Sequence, residues 1–111
     1  RWPRIRVHLT VSLEGLQGDP DESVTTPATT IDLSEGGLRV EPRDSLVVGA
    51  SGRVTLVLPG SQTRMVIPCT VRALVDEMQL HYGLEFTEPS QAQRQMLRAF
   101  VDLRLPRREE A

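Results

Sequence analysis

The strongest constraint on what this sequence can fold into is a period of two. From Ile5 to Leu13, the apolar residues Ile5, Val7, Leu9, Val11 and Leu13 alternate with Arg6, His8, Thr10 and Ser12. A pleated strand sends successive side chains to opposite faces, so this segment reads as a strand with one face on a core and one in water. The signature recurs along the chain. Val24 to Ile31 is rich in threonine and β-branched residues, with Pro27 pointing to an edge or a bulge. Leu38 and Val40 flank Arg39 before Pro42 closes a short strand, and Arg53 to Leu58 alternates up to the Pro59-Gly60 turn. Met65 to Val75 is a further strand, and Asp76-Glu77 is the reversal before the last one. There Met78, Leu80, Tyr82, Leu84 and Phe86 are expected to share a face. Between these segments, Glu14 to Ser23 reads as an exposed loop and Asp32 to Gly37 as a turn.

The period changes after Pro89. Ser90 followed by Gln93 has the pattern of a capping box, which satisfies otherwise unpaired backbone donors at a helix start. Ala92, Met96, Ala99, Phe100 and Leu103 then fall three or four apart, which predicts an amphipathic helix ended by Pro106. Six short strands followed by one helix imply an all-β fold with a C-terminal helix, in a small antiparallel barrel or sandwich. A length of 111 residues suits one core. The expected organisation is a single domain over residues 1–105, with its helix at about 90–105, followed by a polar tail at 106–111.

Composition narrows the functional classes. The net charge of −2 argues against a broad nucleic-acid surface, which needs an excess of base. A single cysteine, Cys69, excludes an internal disulfide framework and a cysteine-based zinc site. No apolar run is long enough to cross a bilayer and no signal-peptide pattern opens the chain, so a cytoplasmic location without membrane insertion is expected. The chain opens on Arg1 and not on methionine, and the expectation is a piece of a longer protein. All thirteen basic residues are arginine. Arginine content alone therefore says little, and position has to carry any argument about a site.

Two clusters stand out by position. Arg1-Trp2-Pro3-Arg4-Ile5-Arg6 places three guanidiniums in six residues, with no acid before Glu14, and Pro3 keeps the segment extended. It reads either as a solvated basic arm or as the cationic half of a binding site. Trp2 is suited equally to stacking on a base and to packing against the barrel. The second cluster is Asp32-Leu33-Ser34-Glu35-Gly36-Gly37. It reads either as a tight strand connection, with the paired glycines allowing positive φ, or as a receptor for a flat donor-rich base or a phosphate. Together the clusters suit guanine, whose O6 and N7 accept from an arginine fork. Its N1–H and N2–H₂ edge suits a carboxylate such as Asp32.

These residues resemble the PilZ family, bacterial receptors for cyclic di-GMP marked by Arg-x-x-x-Arg and, some tens of residues later, Asp/Asn-x-Ser-x-x-Gly. Asp32, Ser34 and Gly37 match the second motif, and Arg4 stands where the second motif arginine precedes the first strand. Arg1 occupies the basic position often found inside the first motif. The first motif arginine itself would immediately precede Arg1, outside this sequence. Tyr82-Gly83-Leu84-Glu85-Phe86 is similar to the family's last strand. The resemblance implies a six-stranded antiparallel split barrel with the ligand on its outer surface. It implies no catalysis and no cofactor beyond the ligand. Cyclic di-GMP would be bound by Arg1, Arg4, Asp32, Ser34, Gly36 and Gly37, and an adjoining domain or partner protein would sense the change. Loss of Arg4 is then expected to cost roughly 2–5 kcal/mol of binding by stranding buried charge. A ligand-free family member acting as a protein-interaction module is the alternative. Enzymatic candidates are weak: Ser34 lacks a nucleophile-elbow context, and His8 and His81 are joined by no motif.

Overall fold

A computed structural model describes residues 2–18 and 24–105. Seven strand segments precede one helix: β1 (Arg4–Arg6), β2 (Thr10–Glu14), β3 (Thr25–Ser34), β4 (Gly37–Pro42), β5 (Ser51–Val57), β6 (Arg64–Asp76), β7 (His81–Phe86) and α1 (Gln91–Arg104). All pairings are antiparallel, in the order β3-β2-β5-β6-β7-β4, and β4 pairs back onto β3. The ring is therefore a closed six-stranded barrel. β1 and β2 both pair with β3 and form one interrupted stave, where the alternation predicts a single strand.

The interruption has a physical cause. Across β2–β3, Val11 faces Ala28, whereas across β1–β3, Ile5 faces Leu33, so the β1–β2 side carries one more residue than β3 between these points. On its other side, Thr30 faces Val40 but Asp32 faces Arg39, so there β3 itself carries the extra residue, Ile31. An extra residue reverses which face each later side chain meets. Thr26, Ala28 and Thr30 point inward, and after the bulge it is Leu33 that enters the core. Asp32 and Ser34 are thereby turned to the outer face. The buried Thr30 hydroxyl bridges the gap, accepting from Leu9 N at 2.7 Å and donating to Val7 O. The irregularity thus sits at Ile31 and not at Pro27. Pro27 lies within the barrel wall opposite Ser12, and its carbonyl accepts from Arg43 N beyond the end of β4.

The barrel interior is filled by Val11, Leu13, Leu33, Leu38, Val40, Val54, Leu56, Ile67, Cys69, Val71 and Leu84, all nearly inaccessible to water. Three expectations are corrected. Leu16, in the loop read as exposed, is buried in the core. The last strand begins at His81. Met78 and Leu80 belong to the preceding turn, Met78 being 93% exposed and Leu80 adopting φ +53°. The helix stripe is also rotated: Leu97, Phe100 and Val101 are buried, whereas Ala92, Ala99 and Leu103 are exposed.

The capping box forms as expected, with Gln93 N donating to Ser90 Oγ at 3.1 Å and Ser90 N to Gln93 Oε1 at 2.9 Å. The Gln93 amide also donates to Val66 O at 2.9 Å, tying the helix start to β6. α1 ends at Arg104, and Leu105 is extended at ψ 139°, as a residue before proline must be. The proposed tail, 106–111, lies outside the described residues.

Candidate ligand-binding cleft

The register built by the bulge decides the site. Arg4 lies opposite Ser34, Arg6 opposite Asp32 across β1–β3, and Arg39 opposite Asp32 across β3–β4. Cross-strand neighbours on one face lie within reach of long side chains. Asp32 is accordingly held between two guanidiniums: Arg4 Nη1 donates to Oδ1 at 2.6 Å, and Arg39 Nε stands 3.6 Å from Oδ2. Two residues 28 positions apart in the chain thus meet on the outer wall. The Asp32 side chain is only 12% exposed and Arg4 is 50% exposed, so the carboxylate is sheltered while the arginine can turn away. Two cations against one anion leave a net positive charge at this corner.

Ser34 ends β3 and turns its hydroxyl onto its own hairpin. Ser34 Oγ accepts from Gly36 N and Gly37 N, both at 3.2 Å, and donates to Gly37 O. This is a local serine turn, and it occupies the hydroxyl expected to meet a ligand. Neither motif glycine has positive φ; that freedom is used at Gly15, Gly18, Gly49 and Gly60. Gly36 and Gly37 are small for reasons of contact. A Cβ on Gly37 would lie 2.2 Å from Leu84 O, where β4 meets β7 to close the barrel. A Cβ on Gly36 would lie 2.0 Å from Trp2 Cδ1, because the indole packs against the hairpin. Of the two roles open to Trp2, the structure shows packing against the barrel. Arg1 lies outside the described residues.

Glu35, between these motif positions, was not singled out in the sequence. Its carboxylate is 8% exposed and is gripped by Arg98 of α1, with Nε to Oε1 at 2.8 Å and Nη2 to Oε2 at 3.0 Å. These hydrogen bonds hold the Glu35 carboxyl below its ordinary range, outweighing the opposite effect of burial. The hairpin and the helix are clamped together by this fork.

The hairpin, β7 and the start of α1 enclose an open cleft of about 570 Å³ whose rim carries Trp2, Arg4, Gly36, Arg72, Phe86 and Arg94. That volume lies within the range of small-molecule sites. Arg72 is paired with Glu85 at 2.8 Å across the sheet. The cleft therefore offers cations, hydroxyl-closed backbone and an aromatic face. Among the described residues no three His, Cys, Asp or Glu side chains gather as a metal site. His8 is exposed between β1 and β2, whereas His81 starts β7 beside Glu41 at 3.8 Å. Cys69 is fully buried, and desolvation pushes its thiol up to about 12. No described helix is long and apolar enough to cross a membrane.

Comparison with known proteins agrees with this architecture. A family model described as PilZ domain matches residues 1–103. Among solved structures, the PilZ domain of CeSA from a cellulose-synthesizing bacterium superposes with TM-score 0.63 at 19% identity, covering 92% of this chain and 94% of that one. The PilZ domain of YcgR from Escherichia coli, solved with c-di-GMP, gives TM-score 0.68 at 14% identity, with coverage of 94% and 89%. The Bacillus subtilis inhibitor of motility MotI/DgrA gives TM-score 0.70 at 23% identity; 94% of this chain matches half of that protein. A search of the curated proteins found no match.

Proposed function

The chain belongs to the PilZ domain family, which includes cyclic di-GMP receptors, and on that premise we propose that it is a cyclic di-GMP sensor. The observation that carries this reading is the contact at 2.6 Å between Asp32 and Arg4, an arginine that lines the cleft. Guanine needs a guanidinium on its O6/N7 edge and a carboxylate on its N1/N2 edge, and the two are already side by side. In the free protein they neutralise one another. The ligand exchanges that contact for its own: Asp32 takes the guanine donors, and Arg4, released, takes a guanine acceptor edge or a phosphate. The Arg39 guanidinium stays beside the Asp32 carboxylate during the exchange. The site performs no chemistry. Its output is the rearranged rim, read in the cytoplasm by an adjoining domain or a partner protein.

A second reading, a protein-interaction module that takes no nucleotide, is favoured by two observations. Trp2 already covers Gly36, and the Ser34 hydroxyl is already used. A thermal melt of the full gene product separates the two. A ligand specific to the native state, at a hundredfold excess over its Kd, adds about 2.7 kcal/mol, which for a domain of this size raises Tm by roughly 10 °C. Cyclic di-GMP should do this while GTP does not. An unchanged Tm at millimolar cyclic di-GMP selects the interaction module.

A further inference from the structure

We propose that Arg94 is a phosphate-binding residue of the cleft, so that helix α1 supplies part of the nucleotide site; this rests on the cyclic di-GMP reading above. The argument comes from which cations around the cleft are already engaged. Arg4 and Arg39 share Asp32, Arg72 is paired with Glu85, and Arg98 is committed to Glu35 by both arms of its fork. Among the described residues no carboxylate lies within ion-pair distance of Arg94. It nevertheless lines the same cleft as Arg4 and Gly36.

Its position follows from the helix. Arg94 and Arg98 are four apart, so they project from the same face, one turn from each other. Arg98 is anchored on Glu35, the central residue of the hairpin, and that anchor fixes the turn bearing Arg94 beside the cleft. The capping box and the Gln93–Val66 contact fix the same turn from its other side. Arg94 is thus a guanidinium on a positioned backbone, lining a cavity, near enough to Glu35 to act on its charge but with no ion-pair partner among the described residues. The chemistry that meets such a group is a phosphate or phosphodiester oxygen pair, which a guanidinium fork grips with two charge-assisted hydrogen bonds. Cyclic di-GMP carries two phosphodiesters and two negative charges. Arg4, which lines the same cleft, meets one, and Arg94 meets the other or the shared field of both. A ligand held this way touches the barrel hairpin and the helix at once.

The test is calorimetric titration of cyclic di-GMP into the full gene product and into Arg94→Ala, Arg94→Lys and Arg64→Ala. Arg64 lies on β6 and is not a cleft residue, so its removal changes net charge equally without touching the site. The expected result is at least a fivefold weaker affinity for Arg94→Ala, a smaller loss for Arg94→Lys, and less than a twofold change for Arg64→Ala. Melting temperatures without ligand should stay together, which distinguishes a lost contact from a loosened helix. Affinity of Arg94→Ala within fivefold of the parent overturns the inference, and so does an equal loss in Arg64→Ala, which would mean bulk charge. Failure of the parent to bind removes the receptor reading and this inference with it, whereas a binding parent with an unaffected Arg94→Ala removes this inference alone.

Discussion

Replacing Gly37 by alanine should damage the protein far more than replacing Gly36, although the two are adjacent in one motif. The Gly37 Cβ would stand 2.2 Å from the Leu84 carbonyl oxygen and 3.2 Å from Glu85 Cα, both backbone atoms of β7. Backbone in a closed sheet cannot swing aside, so the β4–β7 seam must open. Overpacking costs typically 1–3 kcal/mol, and a displaced ladder hydrogen bond adds about 1 kcal/mol. Gly37→Ala is therefore expected to lose about 2–4 kcal/mol, and Tm should fall by roughly 8–32 °C at about 4–8 °C per kcal/mol. At Gly36 the obstructing atoms belong to the Trp2 indole, near the chain start and half exposed. Gly36→Ala should push that ring away, with a Tm change of less than about 4 °C, corresponding to under 1 kcal/mol. Trp2 is the sole tryptophan, so its displacement reads out as a red shift in emission, while circular dichroism follows the melt. Equal melting of the two variants, or a Gly37→Ala protein melting within 3 °C of the parent, would refute the reasoning.

The Glu35–Arg98 fork makes stability depend on acid. The folded-state pKa of Glu35 lies below the ordinary 4.5, so its contribution is fully present above that value and is lost as pH falls through the lowered one. Glu35→Gln should accordingly show a lower urea midpoint than the parent at pH 7, with the gap narrowing as pH falls below 4.5; a gap independent of pH would contradict the assignment. Leu97→Ala, at a fully buried helix position, should cost about 2–4 kcal/mol in urea unfolding. Leu103→Ala, 81% exposed, should stay within about 0.5 kcal/mol; the reverse order would restore the original helix stripe. Thr30→Val strips the bridge across the strand break and leaves Leu9 N–H and Val7 C=O without that partner, costing about 1–3 kcal/mol in the same assay.

The barrel was legible because its inward residues alternate faithfully even across the break: Ile5, Val11 and Leu13 are all buried. The meeting of Arg4 with Asp32 was legible from motif order alone, through the family resemblance. What periodicity could not reveal is the bulge at Ile31, since Asp32 would face the core if the Thr26-Ala28-Thr30 phase continued. Arg39 was passed over for the same reason, because its register opposite Asp32 depends on that extra residue. Met78 and Leu80 continue an alternation that the backbone does not follow, and a pattern of side chains carries no mark of where a strand stops being paired. In the helix, the predicted stripe Ala92-Met96-Ala99-Phe100-Leu103 shares Phe100 with the buried face Leu97-Phe100-Val101, and small alanines gave its other positions an apolar look without much area to bury. Glu35 and Arg98 stand 63 residues apart, a separation at which only the folded barrel brings them together.

Isothermal titration of cyclic di-GMP into the full gene product, repeated with Arg4→Ala, addresses the receptor reading most directly. Because Arg4 is half exposed and Asp32 keeps Arg39, its loss does not strand a buried charge outright. A loss of about 1.5–3 kcal/mol of binding is expected, below the upper end set by the motif alone and equivalent to roughly tenfold to 150-fold in Kd. Saturable binding by the parent with that weakening is the predicted result. Parent and Arg4→Ala binding with equal affinity, or neither binding at all, would contradict it.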